Sequence, residues 1–223
     1  MTDPLVKIAS EAALNAFSKY GSVVATPFAN IFEGIFASEK DFLIKAGMLD
    51  EVFDDYPQLE ALREVYFDLL LINFFSADVN KLEEDYLDSP EWEEIEEQTL
   101  DRGTELLNVL LYLNECRDED IEPGLEDYLK EFLLVDEDEF QDEYRIYEPI
   151  IANQILVESP PAEIKKVAAK LPDDSELKEL FYPVMCFFQN TSPSADEQAV
   201  IAGSAIDQDF DMAVLQILIT FAE

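Results

Sequence analysis

Apolar residues recur along most of this chain at steps of three and four, and strand-like alternation is rare. That period belongs to amphipathic helices. Leu5, Ile8, Ala9, Ala12, Ala16 and Tyr20 form a first stripe, with Gly21 as its stop. Phe28, Phe32, Ile35 and Phe36 make a second face after Pro27. Ser38 with Asp41 resembles a capping box that opens the next helix, which Gly47 is expected to close. A longer stripe runs through Leu59, Leu62, Tyr66, Leu69, Leu70, Asn73 and Phe74. Ser89 and Pro90 read as the cap and first position of the longest helix, whose inward stripe is Trp92, Ile95, Thr99, Leu106, Leu110 and Leu113. Phe140, Tyr144, Tyr147, Ile151 and Ile155 share one helical face, with a kink or break expected at Pro149. Helices are expected again near 161–170, 174–190, 194–203 and 207–222. Asp173 or Asp174 is the expected cap of the second, and Ser194 with Glu197 a capping box for the third.

The fold class that follows is all-α: about a dozen short-to-medium helices in an irregular bundle or a helix-pair array. Without a linker-like run or a strict repeat, residues 1–223 read as a single all-helical domain. A hydrophobic fraction of 48% is ample for a core. The stretch MTDPLVKIAS lacks the basic and apolar regions of a signal peptide, and apolar runs such as LLLINFF are shorter than the ~20 residues a membrane helix needs. A soluble, cytoplasmic protein is expected.

Charge changes the picture most. The net charge is −37. It divides unevenly: a near-neutral subregion at 1–49, a strongly acidic middle at 50–148, and moderately acidic C-terminal helices at 149–223. Such repulsion disfavours contact with nucleic acid or anionic lipid and favours a basic protein partner. Part of the acidity has a local reason. Glu91, Glu93 and Glu94 sit at a helix start, and Asp136, Glu137, Asp138 and Glu139 are expected at another, where the dipole favours negative charge.

Little else suggests chemistry. Histidine is absent, which removes the commonest general base, every Ser-His or Cys-His pair and all His-ligated metal sites. Cys116 lies among carboxylates that disfavour a thiolate, and Cys186, in YPVMCFF, reads as a small core residue. Asp207, Asp209 and Asp211 miss the Gly and Glu of a calcium loop and read as caps of the last helix. Glu93, Glu94 and Glu97 followed by Glu115 and Asp118 follow an EExxE then ExxD spacing. This resembles the carboxylate signature of all-helical nucleoside triphosphate pyrophosphohydrolases of the MazG type, a resemblance that implies Mg²⁺ held between paired helices. In that family ExxD opens an apolar helix, whereas here it ends one. With both halves on one unbroken helix, Glu97 and Glu115 would lie about 27 Å apart.

A non-catalytic binding protein is therefore expected, without cofactor or metal, presenting a carboxylate-rich surface to a basic protein partner as an inhibitor, immunity protein or nucleic-acid mimic would. The expected surface comprises Glu91, Glu93, Glu94, Glu96, Glu97, Asp118, Glu119, Asp120, Glu122, Asp136, Glu137, Asp138, Glu139, Asp142 and Glu143. Tyr56, Tyr86, Tyr112, Tyr128, Tyr144 and Tyr147 are candidate apolar anchors within it. The alternative is a chaperone-like scaffold or adaptor with a peptide groove, lined by SVVATPFANIFEGIF. The Mg²⁺-dependent hydrolase stands third.

Overall fold

The protein's structure, a computed structural model, describes residues 2–77, 89–136, 139–140 and 146–223. It is all-α. Twelve α-helices occur among the described residues, and the only strand pairing there is a small two-stranded antiparallel ribbon. None of these helices is long and apolar enough to cross a membrane.

Two helices organise the core because they are apolar on every side. In α4 (Arg63–Ala77) every residue from Val65 to Phe74 is buried, and in α12 (Gln208–Ala222) burial runs from Phe210 to Phe221 except at Gln216. An all-round apolar helix must be enclosed by others. Helix α1 (Pro4–Tyr20) lies along α12 and also touches α4; Ala9, Ala13 and Ala16 keep its buried face thin. Their antiparallel sense shows at Gly21, where an added Cβ would strike the Asp209 carboxylate and the Phe17 carbonyl. Gly21 is in extended backbone, so close approach, and not φ, requires the glycine. Helices α2 (Ala29–Ala37) and α3 (Phe42–Asp55) cover one side of this core through Phe32, Phe36 and Phe53, whose rings gather round Tyr66. The buried Tyr66 hydroxyl donates to the Ser10 carbonyl and accepts from the Ser10 hydroxyl.

On the other side, α6 (Leu106–Glu119) and α10 (Lys178–Gln189) pack on α12. Helices α9 (Pro161–Ala168) and α11 (Ala195–Ser204) flank them. Ser194 and Glu197 form the expected capping box, and Cys116 and Cys186 are buried. Burial pushes the Cys186 thiol up to about 12.

Four expectations are corrected. Gly47 does not end α3, because the stripe Phe42, Ala46, Leu49 and Phe53 continues to bury beyond it. Neither Asp173 nor Asp174 caps α10, which begins after Leu177. The longest expected helix is two: α5 (Pro90–Thr99) stops, and α6 begins only at Leu106. Finally, Asp136 and Glu139 lie in strands and do not open a helix. After α7 (Leu125–Leu133), Leu134–Asp136 and Glu139–Phe140 form the ribbon, and α8 (Glu148–Ile151) starts with Pro149 in its first turn.

Candidate interaction surface

Helix α5 exists because its N-terminus is well made. The Ser89 hydroxyl accepts from the Trp92 amide at 3.2 Å, and Pro90 has no amide to leave unsatisfied. Ile95 is buried, and Trp92 stacks on Phe74 with ring centroids 6.3 Å apart and planes inclined by 13°. That contact pins the start of α5 to the end of α4. The opposite face carries Glu93, Glu94, Glu96 and Glu97, all exposed. Glu91 lies in the same helix.

A charged clamp ends α5. Arg102 donates from Nη1 and Nη2 to Asp50 at 3.0 Å each, and from Nε to Glu64 at 3.1 Å. Its guanidinium lies 4.6 Å from the Phe67 ring centroid. Gly103, at φ 83°, turns the chain in a conformation that side chains resist, and its amide donates to Glu64 at 2.7 Å. Thr104 then donates from its amide (2.9 Å) and its hydroxyl (2.5 Å) to Asp68, a carboxyl with no solvent exposure. Burial holds the Asp68 carboxyl well above the usual carboxylate range. Arg63 completes the network, binding Asp50, Asp54 and Glu60. Two of the four arginines are thus committed to folding this corner.

The second acidic group ends α6. Asp118 and Glu119 occupy the last turn and Asp120 caps it at φ 57°; all three are exposed, as is Glu122. The following loop is held because the Tyr112 hydroxyl accepts from the Gly124 amide at 2.9 Å and donates to its carbonyl at 3.0 Å. Negative charge at a helix C-terminus opposes the dipole. Helix stability therefore does not account for these acids, whereas it does for those opening α5.

None of Glu93, Glu94, Glu96, Glu97, Asp118, Glu119, Asp120 and Glu122 joins an ion pair among the described residues. Each group instead has an exposed apolar neighbour. Leu100, 83% exposed, shares a shallow depression with Glu93, Glu96, Glu97 and Thr99, and Ile121 is 43% exposed between Asp120 and Glu122. Sequence reasoning passed over both. Leu100 carried a signal, since it falls off the stripe of Trp92, Ile95 and Thr99. The expected tyrosine anchors fare differently: Tyr112, Tyr128 and Tyr147 are buried against one another, and Tyr56 is 38% exposed. Tyr86 and Tyr144 lie outside the described residues.

Asp136 ends one strand of the ribbon and Glu139 begins the other. Glu137, Asp138, Asp142 and Glu143 lie outside the described residues. The EExxE and ExxD halves stand on two helices, so the 27 Å separation expected along one does not apply. Among the described residues no three Cys, Asp or Glu side chains gather as a metal site requires. No family model, curated protein or solved structure matches this chain.

Proposed function

We propose that this is a non-catalytic binding protein whose carboxylate-rich helical surface engages a basic protein partner. One observation carries the reading: eight exposed carboxylates on α5 and at the end of α6 have no cationic partner among the described residues, while Arg63 and Arg102 serve internal pairs. Each acidic group surrounds an apolar side chain, Leu100 or Ile121. Protein interfaces pair apolar anchors with polar rims, and charge complementarity steers the encounter. Capture of a partner from lysate should fall steeply between about 0.05 and 0.5 M salt, because screening shortens the range of exposed charges. It should fall likewise when Glu93, Glu94, Glu96 and Glu97 are all changed to Gln. Salt-independent capture, or magnesium-dependent release of pyrophosphate from nucleotides that Glu94→Gln abolishes, would refute the proposal.

A second reading has one supporting observation. A groove of about 470 Å³ between α2 and α3 is lined by Met48, Val52 and Tyr56 and by Ile31, Gly34 and Ile35 from the segment SVVATPFANIFEGIF. An adaptor using that groove would bind independently of salt and lose its partner in Ile31→Asp.

A further inference from the structure

Helices α2 and α3 form a hairpin with an apolar groove along it. Tyr56, just past the end of α3, sits edge-on against Phe28, just before α2, with ring centroids 4.7 Å apart. Ile35 is the deepest of the lining side chains, Met48 and Val52 are half-buried, and Ile31 and Tyr56 are exposed. Ile44, also exposed, lies one turn before Met48 on the same side of α3. The apolar strip from 44 to 56 is therefore about 18 Å long, enough for three turns of a docked helix.

Glycine occurs twice beside this strip. Gly34 lines the groove, and Gly47 lies one turn before Glu51 on α3. Glycine weakens a helix interior relative to alanine. Neither position needs it for the fold: neither has positive φ, and a Cβ added at either meets nothing within 4 Å. What both glycines permit is close approach of a backbone from outside.

Charge selects the kind of backbone. Helices α2 and α3 carry five acids. Glu33 pairs with Lys7, and Asp50 and Asp54 pair with Arg63. The other two, Glu51 and Asp55, are the two that line the groove; both are exposed and have no cationic partner among the described residues. Asp55 also stands in the last turn of α3, where the dipole disfavours a negative charge. No base lines the groove.

We infer that this groove binds an amphipathic basic helix of a partner protein. Its apolar stripe lies on Ile31, Ile35, Met48 and Val52, and its flanking Lys or Arg side chains meet Glu51 and Asp55. The inference rests on the groove reading above, not on the surface of α5 and α6, and names that groove's ligand. A second copy of this chain is the poorer occupant: a two-fold contact here would turn Glu51 and Asp55 towards the same carboxylates, on a chain of net charge −37. Exposed ion pairs are weak, so the apolar contact carries the affinity and the charges discriminate between partners.

The probe is a fluorescein-labelled, end-blocked peptide of about 14 residues, with Leu at helical spacing and Lys on both sides of that stripe. One control replaces each Lys by Glu, and the other carries central Pro residues that prevent a helix. Fluorescence anisotropy with the full chain, at about 0.15 M salt, should show saturable binding of the Lys peptide, about tenfold tighter than either control. Gly34→Leu should melt no lower than wild type, since its side chain starts in open space, yet weaken the Lys peptide at least about tenfold. Ile31→Asp should weaken it likewise. Glu51→Lys combined with Asp55→Lys should weaken the Lys peptide several-fold and strengthen the Glu peptide. Equal binding of all three peptides, lost in Gly34→Leu and Ile31→Asp, would overturn the inference while the groove reading stood. Binding of the Lys peptide that neither variant alters would overturn both, as would absence of saturable binding by any peptide. A dimer of the chain alone in sedimentation, abolished by Gly34→Leu, would also overturn the inference, because a second copy would then be the occupant.

Discussion

Replacing Asp68 with Ala tests the corner that ends α5. The buried carboxyl accepts two donors, the amide and the hydroxyl of Thr104, and both would lose their acceptor in the loop that leads into α6. Each such loss costs about 1–2 kcal/mol once a desolvated donor is left behind, so Asp68→Ala should destabilise by roughly 2–4 kcal/mol. In a chain of this length about 1 kcal/mol moves Tm by 2–4 °C, which places the expected drop at about 5–15 °C. Asp68→Asn is the necessary companion. Its amide oxygen can still accept the Thr104 amide, and its amide nitrogen can donate to the Thr104 hydroxyl, so it should melt near the wild type. The two also differ in pH dependence. Asp68 has a raised folded-state pKa, so its contribution is full below the unfolded value of about 3.9 and is lost as pH rises through the folded one. Asp68→Asn should flatten that decline. Thermal melts followed by circular dichroism, at several pH values, make the comparison. If Asp68→Ala melted with the wild type, the clamp would be irrelevant to stability; if both variants fell equally, charge and not bond geometry would be at issue.

Gly103→Ala should cost about 1–3 kcal/mol in urea unfolding, because the new Cβ meets an Asp68 oxygen at 2.7 Å in a left-handed backbone. Arg102→Met should lower stability by about 2–3 kcal/mol through Asp50 and Glu64, measured by the same melts. With Asp211 raised to about 7, stability should decline from about pH 4 to pH 7 through this group, and Asp211→Asn should reduce that slope. Leu100→Ser, at a side chain that is 83% exposed, should leave the melt within about 0.5 kcal/mol of wild type while weakening capture of a partner.

Local signals were enough for the all-α class, for the caps at Ser89 and Ser194 and for the apolar stripe of α4, because each is contained in a short stretch of chain. The capping box of Ser194 and Glu197 spans a single turn, and a stripe such as Tyr66, Leu69, Leu70, Asn73 and Phe74 is visible wherever it occurs. The break after α5 was misread because it is set from outside the segment. Nothing near Leu100 announces a break; it arises because Arg102, Gly103 and Thr104 find partners on α3 and α4, at Asp50, Glu64 and Asp68, 36 to 52 residues earlier. Three of the expected anchors, Tyr112, Tyr128 and Tyr147, failed for the same reason, since one helical face cannot report which neighbour will cover it.

The acidic excess and the absence of histidine are properties of composition, and they hold however the chain folds. Whether a given carboxylate points to water, to Arg102 or into a cleft depends on residues brought together from far along the chain. Packing therefore decided that Asp50 and Asp68 serve the interior and that Glu93, Glu94, Glu96 and Glu97 have no counter-charge among the described residues.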